Sequence, residues 1–266
     1  MNFGLGGLSE IALISMLVLL LFGTKEVPHI FREMARLFAK IKMYSDKIKR
    51  EFDEAIKLEE PKIPYESQSG KKKKEMRLRY RAARAGLTTQ QRIEKSNEAW
   101  KHLVETPQYK DARAIMVYAS TGSEVETQTH ILEMLAHGKR IILPYCKNNV
   151  NELGIGEIKD LENDVAPGAF GITEPVEDKR GNFFKSDLQL IVCPGVAFDG
   201  YGGRLGNGKG YYDSFLKEIK GRVPLFGIGF DCQIYSENIP FDYHDVSMDQ
   251  VITESGLLLK KEDGIA

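Results

Sequence analysis

The 266-residue chain has no excess of charge of either sign: 37 Lys and Arg stand against 38 Asp and Glu, a formal net charge of -1. Nothing in that balance suggests binding to a polyanion by bulk charge, and nucleic acid is not expected as a partner. Cysteine is scarce. Cys146, Cys193 and Cys232 are far apart and form no C-x-x-C pair. This argues against a zinc ribbon or a disulfide scaffold and fits a reducing compartment. Cys193 and Cys232 lie in apolar, strand-like runs, where buried structural thiols are expected. A long hydrophobic run is also lacking. Ile11–Phe22 spans 12 residues, short of the roughly 20 that cross a bilayer comfortably. No Lys or Arg precedes it, and Gly23-Thr24-Lys25-Glu26-Val27-Pro28 follows it. Cleavage as a signal peptide is therefore not expected.

What remains for Ile11–Phe22 is a buried helix or a short membrane helix. After Pro28, apolar Ile30, Phe31, Met34, Leu37, Phe38, Ile41 and Ile48 recur at helical spacing, with Arg32, Arg36, Lys40, Lys42 and Lys47 mostly between them. Such a basic amphipathic helix lies on a membrane surface or packs its stripe on a soluble domain; the neighbouring apolar run favours the membrane. Glu10 before a short apolar helix, the Phe22-Gly23 hinge, Lys25, Pro28 and the basic helix together resemble the small subunits of the twin-arginine translocase. Thr24 stands where that family usually has Pro. The resemblance implies that residues 1–57 tether the chain to the inner membrane and co-assemble with translocase subunits. Basic residues follow the apolar run and none precedes it, which places the rest of the chain on the cytoplasmic face.

Residues 58–74 (LEEPKIPYESQSGKKKK) show no periodicity and carry two prolines; residues 58–71 read as a linker, leaving 72–266 as a domain. A basic helix runs to about Arg84, and a second, Thr88–Val104, opens on a cap-like Thr-Thr-Gln. Strand-like runs are Ala114–Ala119, Arg140–Pro144, Leu188–Cys193 and Leu225–Phe230, with helices at Thr127–His137 and Gly208–Lys220. The alternation predicts an α/β fold, a mostly parallel sheet with helices on both faces. Ligands then bind at the carboxyl ends of the strands.

The densest chemistry is Pro194-Gly195-Val196-Ala197-Phe198-Asp199 followed by Gly203-Arg204-Leu205-Gly206-Asn207-Gly208-Lys209-Gly210-Tyr211-Tyr212-Asp213. Glycines at 206, 208 and 210 leave backbone N–H groups unshielded before a helix start, and Arg204 and Lys209 add two full charges. This pattern suits phosphate. It is not an ordinary P-loop, because Gly210 stands where Ser or Thr should hold magnesium. The metal must find carboxylates, and Asp213 lies one turn into the helix.

R-L-G-x-G-K-G-Y-Y-D after P-G-x-x-F-D closely resembles the 5-formyltetrahydrofolate cyclo-ligase family, over about Lys73 to Ile252. The resemblance implies conversion of 5-formyltetrahydrofolate to 5,10-methenyltetrahydrofolate with ATP and Mg2+. The nucleotide would meet Lys73, Arg77 and the loop Arg204, Leu205, Gly206, Asn207, Gly208, Lys209, Gly210, Tyr211 and Tyr212. The reduced folate would meet Ala119, Glu124 of Glu124-Val125-Glu126-Thr127, Phe170 of Phe170-Gly171-Ile172-x-Glu174-Pro175, and Asn207 to Tyr211. Catalysis would fall to Arg204, Lys209 and Tyr212. Asp213 and Asp245, the latter in His244-Asp245-Val246-x-Met248-Asp249, would hold the metal, with His244 structural. Many relatives place a basic residue soon after the Pro of Pro144-Tyr145-Cys146-Lys147; only Lys147 is available here for the folate tail. Two other readings compete. One is an export component with an inactive C-terminal adapter; the other is a small-molecule kinase, for which no acceptor-activating base is evident.

Overall fold

A computed structural model of the chain describes residues 68–147 and 152–258. The helices expected within residues 1–57, and the linker up to residue 67, lie outside the described residues. No helix among the described residues is long and apolar enough to cross a membrane.

Helix α1 (Gln68–Ala85) begins inside the segment read as linker. The physical reason is tertiary. Lys73, Met76, Tyr80 and Arg84 are its buried residues, spaced to share one face. Met76 and Tyr80 pack on Val196, Ala197, Leu205 and Ile239, and Lys73 is held by ion pairs described below. Helix α2 (Thr89–Glu105) is capped as its start suggests: the Thr88 hydroxyl accepts from the Gln91 amide while the Gln91 side chain accepts from the Thr88 amide. Such a box contributes about 1 kcal/mol. Thr106 ends α2 and caps the short α3 (Pro107–Asp111), whose first residue is proline.

Strands β1 (Ala114–Met116), β2 (Arg140–Cys146), β6 (Leu190–Cys193), β9 (Leu225–Ile228) and β11 (Gln250–Thr253) pair in parallel, in the order β11-β9-β6-β1-β2. Two antiparallel edge strands, β3 (Leu153–Ile158) and β12 (Gly256–Leu258), complete seven. The register sets Ile115 beside Ile141 and Leu190, and Ile191 beside Leu225. Side chains alternate between faces, and two cores result. Ile115, Ile141, Leu190, Phe226 and Ile252 pack with Trp100 and Leu103 of α2 and with Ile131 and Met134 of α4 (Gln128–Ala136). On the opposite face Met116, Ile142, Ile191, Leu225 and Val251 meet Phe215 and Leu216 of α5 (Tyr211–Lys217). Each fully buried side chain of this size contributes roughly 1.5–3 kcal/mol. The parallel sheet covered on both faces is as expected.

Several details differ. β1 leaves the sheet after Met116, although Val117 to Ala119 stay buried. There the Thr127 hydroxyl donates to the Tyr118 carbonyl and the Tyr118 hydroxyl to that of Val125. α5 is shorter than Gly208–Lys220 because Gly208 (φ 94°) and Gly210 (φ 71°) are left-handed, which stops a helix from starting before Tyr211. Cys193 is buried, and burial pushes its thiol up to about 12. Cys232 is only half-buried, in a 3-10 turn after β9. A small sheet β10-β7-β8, from β7 (Ala197–Asp199), β8 (Arg204–Leu205) and β10 (Ile234–Tyr235), and the hairpin β4 (Val165–Pro167)–β5 (Thr173–Pro175) are too short to leave a periodic signal.

Candidate active site

A cavity of about 610 Å3 opens beyond the carboxyl ends of β1, β2 and β6, where a parallel sheet presents its ligands. One wall is the turn from β7 to α5. Phe198 pairs with Arg204 across β7 and β8, so the chain reverses tightly between them. The buried Asp199 carboxylate fixes that reversal: it accepts from the amides of Tyr201 (2.8 Å), Gly203 (2.7 Å) and Ile239 (2.7 Å). The Met248 amide donates to the Gly202 carbonyl at 2.8 Å. The turn is thereby joined to the segment 239–248.

Gly206 to Gly210 follow, all lining the cavity. Lys209 is exposed on this loop. α5 has only seven residues, so the attraction for anions rests on loop amides and side-chain charges more than on a long helix dipole. Arg204 is not an open clamp. Its side chain is 2% exposed, its Nη2 donates to Asp213 Oδ1 at 2.8 Å, and its Nη1 donates to the Pro194 carbonyl at 3.3 Å. The Val246 amide also donates to Asp213 Oδ1, at 3.3 Å. The Tyr212 hydroxyl is buried in the cavity wall with no partner among the described residues. Burial holds its pKa well above the ordinary value, so it remains a donor.

The facing wall is α1. Lys73, Arg77 and Arg81, four residues apart, all line the cavity. The Lys73 ammonium lies 2.6 Å from Asp242 Oδ2 and 2.5 Å from Asp245 Oδ2. Burial alone would lower its pKa, but the two carboxylates outweigh this and hold it above the ordinary value. Arg77 Nε donates to the Gly206 carbonyl at 2.9 Å and Arg81 Nη2 to Asn207 Oδ1 at 2.8 Å, pinning the loop to the helix. Arg84, one turn further, donates to Ser123 Oγ and the Gly195 carbonyl and stands 4.0 Å from Glu124.

Glu124 lies at the end of the loop from β1, where the Thr121 amide donates to it at 3.1 Å. Burial raises its pKa against the opposing pull of that amide and of Arg84. The folded state therefore holds this proton more tightly than the unfolded chain, and stability falls as pH rises from 4.5 through the raised value. Glu124→Gln is expected to melt higher than the parent above that window, on the order of a few degrees, and to flatten the slope. Melting curves from pH 4 to pH 9 that overlay the parent would refute the burial argument.

The cavity gathers nearly every residue singled out in the sequence. Lys73, Arg77, Ala119, Glu124, Arg204, Leu205, Gly206, Asn207, Gly208, Lys209, Gly210, Tyr211, Tyr212, Asp213 and Asp245 all line it. Phe170 sits in a 3-10 turn before β5, and its side chain lies outside the described set; Ile172, Thr173 and Glu174 beside it do reach the cavity. Glu126 is turned to structure: its carbonyl accepts from Trp100 Nε1 and its carboxylate from the Thr129 amide. Lys147 pairs with Glu152 at 3.1 Å and does not line the cavity. Asp242, Arg81 and Arg84 were missed. Asp242 lies three residues before Asp245, and Arg81 continues the Lys73–Arg77 spacing, so both signals were present in the sequence.

The donor chemistry suits a hard divalent cation. Asp213 and Asp245 offer carboxylate oxygens to one cavity, and ligand atoms of Asp242, His244 and Asp245 lie within 4.8 Å of one another. In the structure both Asp213 and Asp245 are paired with protein cations.

Residues 69–254 match the 5-formyltetrahydrofolate cyclo-ligase family, and residues 3–51 match the mttA/Hcf106 family. The mouse 5-formyltetrahydrofolate cyclo-ligase is 30% identical over 190 residues, 68% of this chain and 90% of its own length. The Escherichia coli K12 protein of the same name is 30% identical over 180 residues, covering 66% and 96%. The NMR structure of Aquifex aeolicus 5,10-methenyltetrahydrofolate synthetase aligns with a TM-score of 0.62 and 33% identity, over 73% of this chain and 95% of that one. With a cavity that collects the glycine loop, the α1 cations and Glu124, and with a family match across most of its length, the chain belongs to the 5-formyltetrahydrofolate cyclo-ligase family.

Proposed function

We propose that this protein closes 5-formyltetrahydrofolate to 5,10-methenyltetrahydrofolate, consuming ATP and requiring Mg2+. The observation that carries the reading is one cavity with two chemistries: a cationic glycine loop faced by α1, and beside it a buried carboxyl, Glu124, with the Tyr212 hydroxyl. The first suits a triphosphate and the second a pterin-like heterocycle with hydrogen-bonding edges.

The formyl group on nitrogen 5 is an amide, a poor electrophile whose oxygen does not leave as hydroxide. Its oxygen attacks the γ-phosphorus of ATP; the bond to ADP breaks, giving an imino-phosphate. Nitrogen 10 then adds to the formyl carbon. The carbon–oxygen bond breaks, and phosphate departs with the former formyl oxygen and the proton of nitrogen 10. The protein positions the reactants and stabilises charge. Lys209 and the amides of Gly206 to Gly210 receive the transferring phosphoryl group, with Lys73 and Arg77 on the remaining phosphates. Arg204 sets Asp213 and adds fixed positive charge behind the loop. Glu124 and Tyr212 orient the folate. Asp213 and Asp245 would hold Mg2+, which, when bound, offsets phosphate charge.

The match of residues 3–51 supports a tether, with residues 1–57 anchoring the enzyme to the cytoplasmic face of the inner membrane beside translocase subunits. The decisive assay follows ADP release by the full-length chain with and without 5-formyltetrahydrofolate, and product by absorbance. Folate-dependent ADP release matched by methenyl product is expected. ATP turnover indifferent to folate, or none, would leave the export-adapter or kinase readings instead. In fractionated cells the activity should sediment with membranes and become soluble when residues 1–57 are deleted; wholly soluble full-length enzyme would remove the tether.

A further inference from the structure

The proposed reaction needs a divalent cation at Asp245, yet Asp245 Oδ2 already accepts from the Lys73 ammonium at 2.5 Å and from the Asp242 amide at 2.9 Å. The same ammonium holds Asp242 Oδ2 at 2.6 Å, and the Ser69 hydroxyl holds the other Asp242 oxygen at 3.3 Å. Lys73 is thus seated between two carboxylates, with 9% of its side chain exposed. His244 and Arg77 are the other basic groups lining the cavity near this pair: His244 Nε2 is 3.7 Å from Asp245 Oδ1, and Arg77 donates to Gly206.

An ammonium and a divalent cation repel, and cannot both occupy one carboxylate oxygen. Lysine, unlike arginine, is a compact charge on a flexible four-carbon stem. Its head can leave the carboxylates without moving α1, and the glycine loop lines the same cavity.

We propose that Lys73 is an exchangeable internal cation: without nucleotide it occupies the Asp242–Asp245 pair and excludes free metal, and with nucleotide it passes to the phosphates and yields Asp245 to the metal. This rests on the reading of Asp245 as a metal carboxylate. Metal and nucleotide then bind synergistically, because each removes an obstacle to the other, and the coupling is reciprocal. Free metal cannot lock the site in advance.

Mn2+ is the probe, its unbound fraction measured by electron paramagnetic resonance on the full-length chain, with a non-hydrolysable ATP analogue as the nucleotide. The parent should bind Mn2+ at least about tenfold more tightly with the analogue than without. Lys73→Met should bind nucleotide-free Mn2+ about tenfold or more tighter than the parent, gain less from the analogue, and bind the analogue more weakly. Mn2+ alone should raise the melting temperature of Lys73→Met more than that of the parent. Lys73→Arg, which keeps the charge, should retain the weak nucleotide-free binding. A folded Lys73→Met that binds nucleotide-free Mn2+ no better than the parent overturns the exchange. So does a parent whose Mn2+ affinity ignores the analogue, a result that needs no variant to fold. A parent that cyclises folate but shows no synergy defeats the exchange alone. A parent that shows synergy but never cyclises folate defeats the proposed reaction and leaves the exchange standing.

Discussion

Lys209→Ala lowers turnover by about two orders of magnitude or more, with a melting temperature close to that of the parent. The two halves of this expectation have separate causes. Lys209 is exposed on a loop of glycines, outside all three hydrophobic clusters, so its truncation opens no void in the core. It lines the cavity together with Gly206, Asn207, Gly208 and Gly210. There it is worth most when negative charge moves onto the oxygens of a transferring phosphoryl group. An oriented charge lost at that moment costs roughly 3 kcal/mol of barrier. Lys209→Arg should recover only part of the rate, because a planar fork cannot occupy the space of a point charge. Steady-state kinetics beside thermal melts decide the matter. Parent-like turnover for Lys209→Ala would remove the phosphoryl-transfer role from the loop.

Asp213→Asn should fail differently, losing stability as well as metal response. Asp213 is the counter-charge of Arg204, whose side chain is 2% exposed, and the pair is closed at 2.8 Å. Removing one partner of a buried pair costs about 3–5 kcal/mol when a charge is left uncompensated. Asn keeps an acceptor oxygen, so the loss should lie at the lower end of that range. Arg204→Met in the same chain should restore part of the stability, because no buried charge is then unpaired. It should not restore the metal response. Magnesium titrations of Asp213→Asn are expected to need at least about tenfold more metal for half-maximal turnover, and the double variant should need as much. If both variants titrate like the parent, Asp213 serves only as the partner of Arg204.

The parallel sheet was legible because Ile141 to Leu143 and Leu190 to Cys193 are apolar runs too short for a helix, alternating with helical segments, as strands buried on both faces are. The glycine loop was legible because its residue types are rare together. The direction in which Arg204 points was not. Nothing local distinguishes an arginine that reaches a ligand from one drawn back onto a carboxylate nine residues later. Glu124 and Glu126 are two apart in the sequence, yet one borders the cavity while the other braces Trp100 and α4; only the bend after β1 separates their roles. The start of α1 was obscured for a related reason. Ser69 and Lys73 are fixed by Asp242 and Asp245, about 170 residues away in the chain, and their local composition reads as a solvated lysine run.

The Asp199 carboxylate, through the amides of Gly203 and Ile239, joins the turn that launches the glycine loop to the segment that ends in Asp242 and Asp245. Two stretches well separated in the chain therefore share a single keystone. A lineage that drifts toward a bulkier phosphate donor cannot widen the loop by substitutions there alone. The acidic segment would be dragged with it, and the gap between cationic wall and carboxylates would stay as it was. Changing that gap requires rebuilding the keystone first, a step that passes through a variant with three orphaned amides. The constraint predicts a protein conservative in what it accepts at the end of the cavity proposed for the triphosphate. The end proposed for the folate, whose walls come from β2, β5 and the loop after β1, is left to vary on its own.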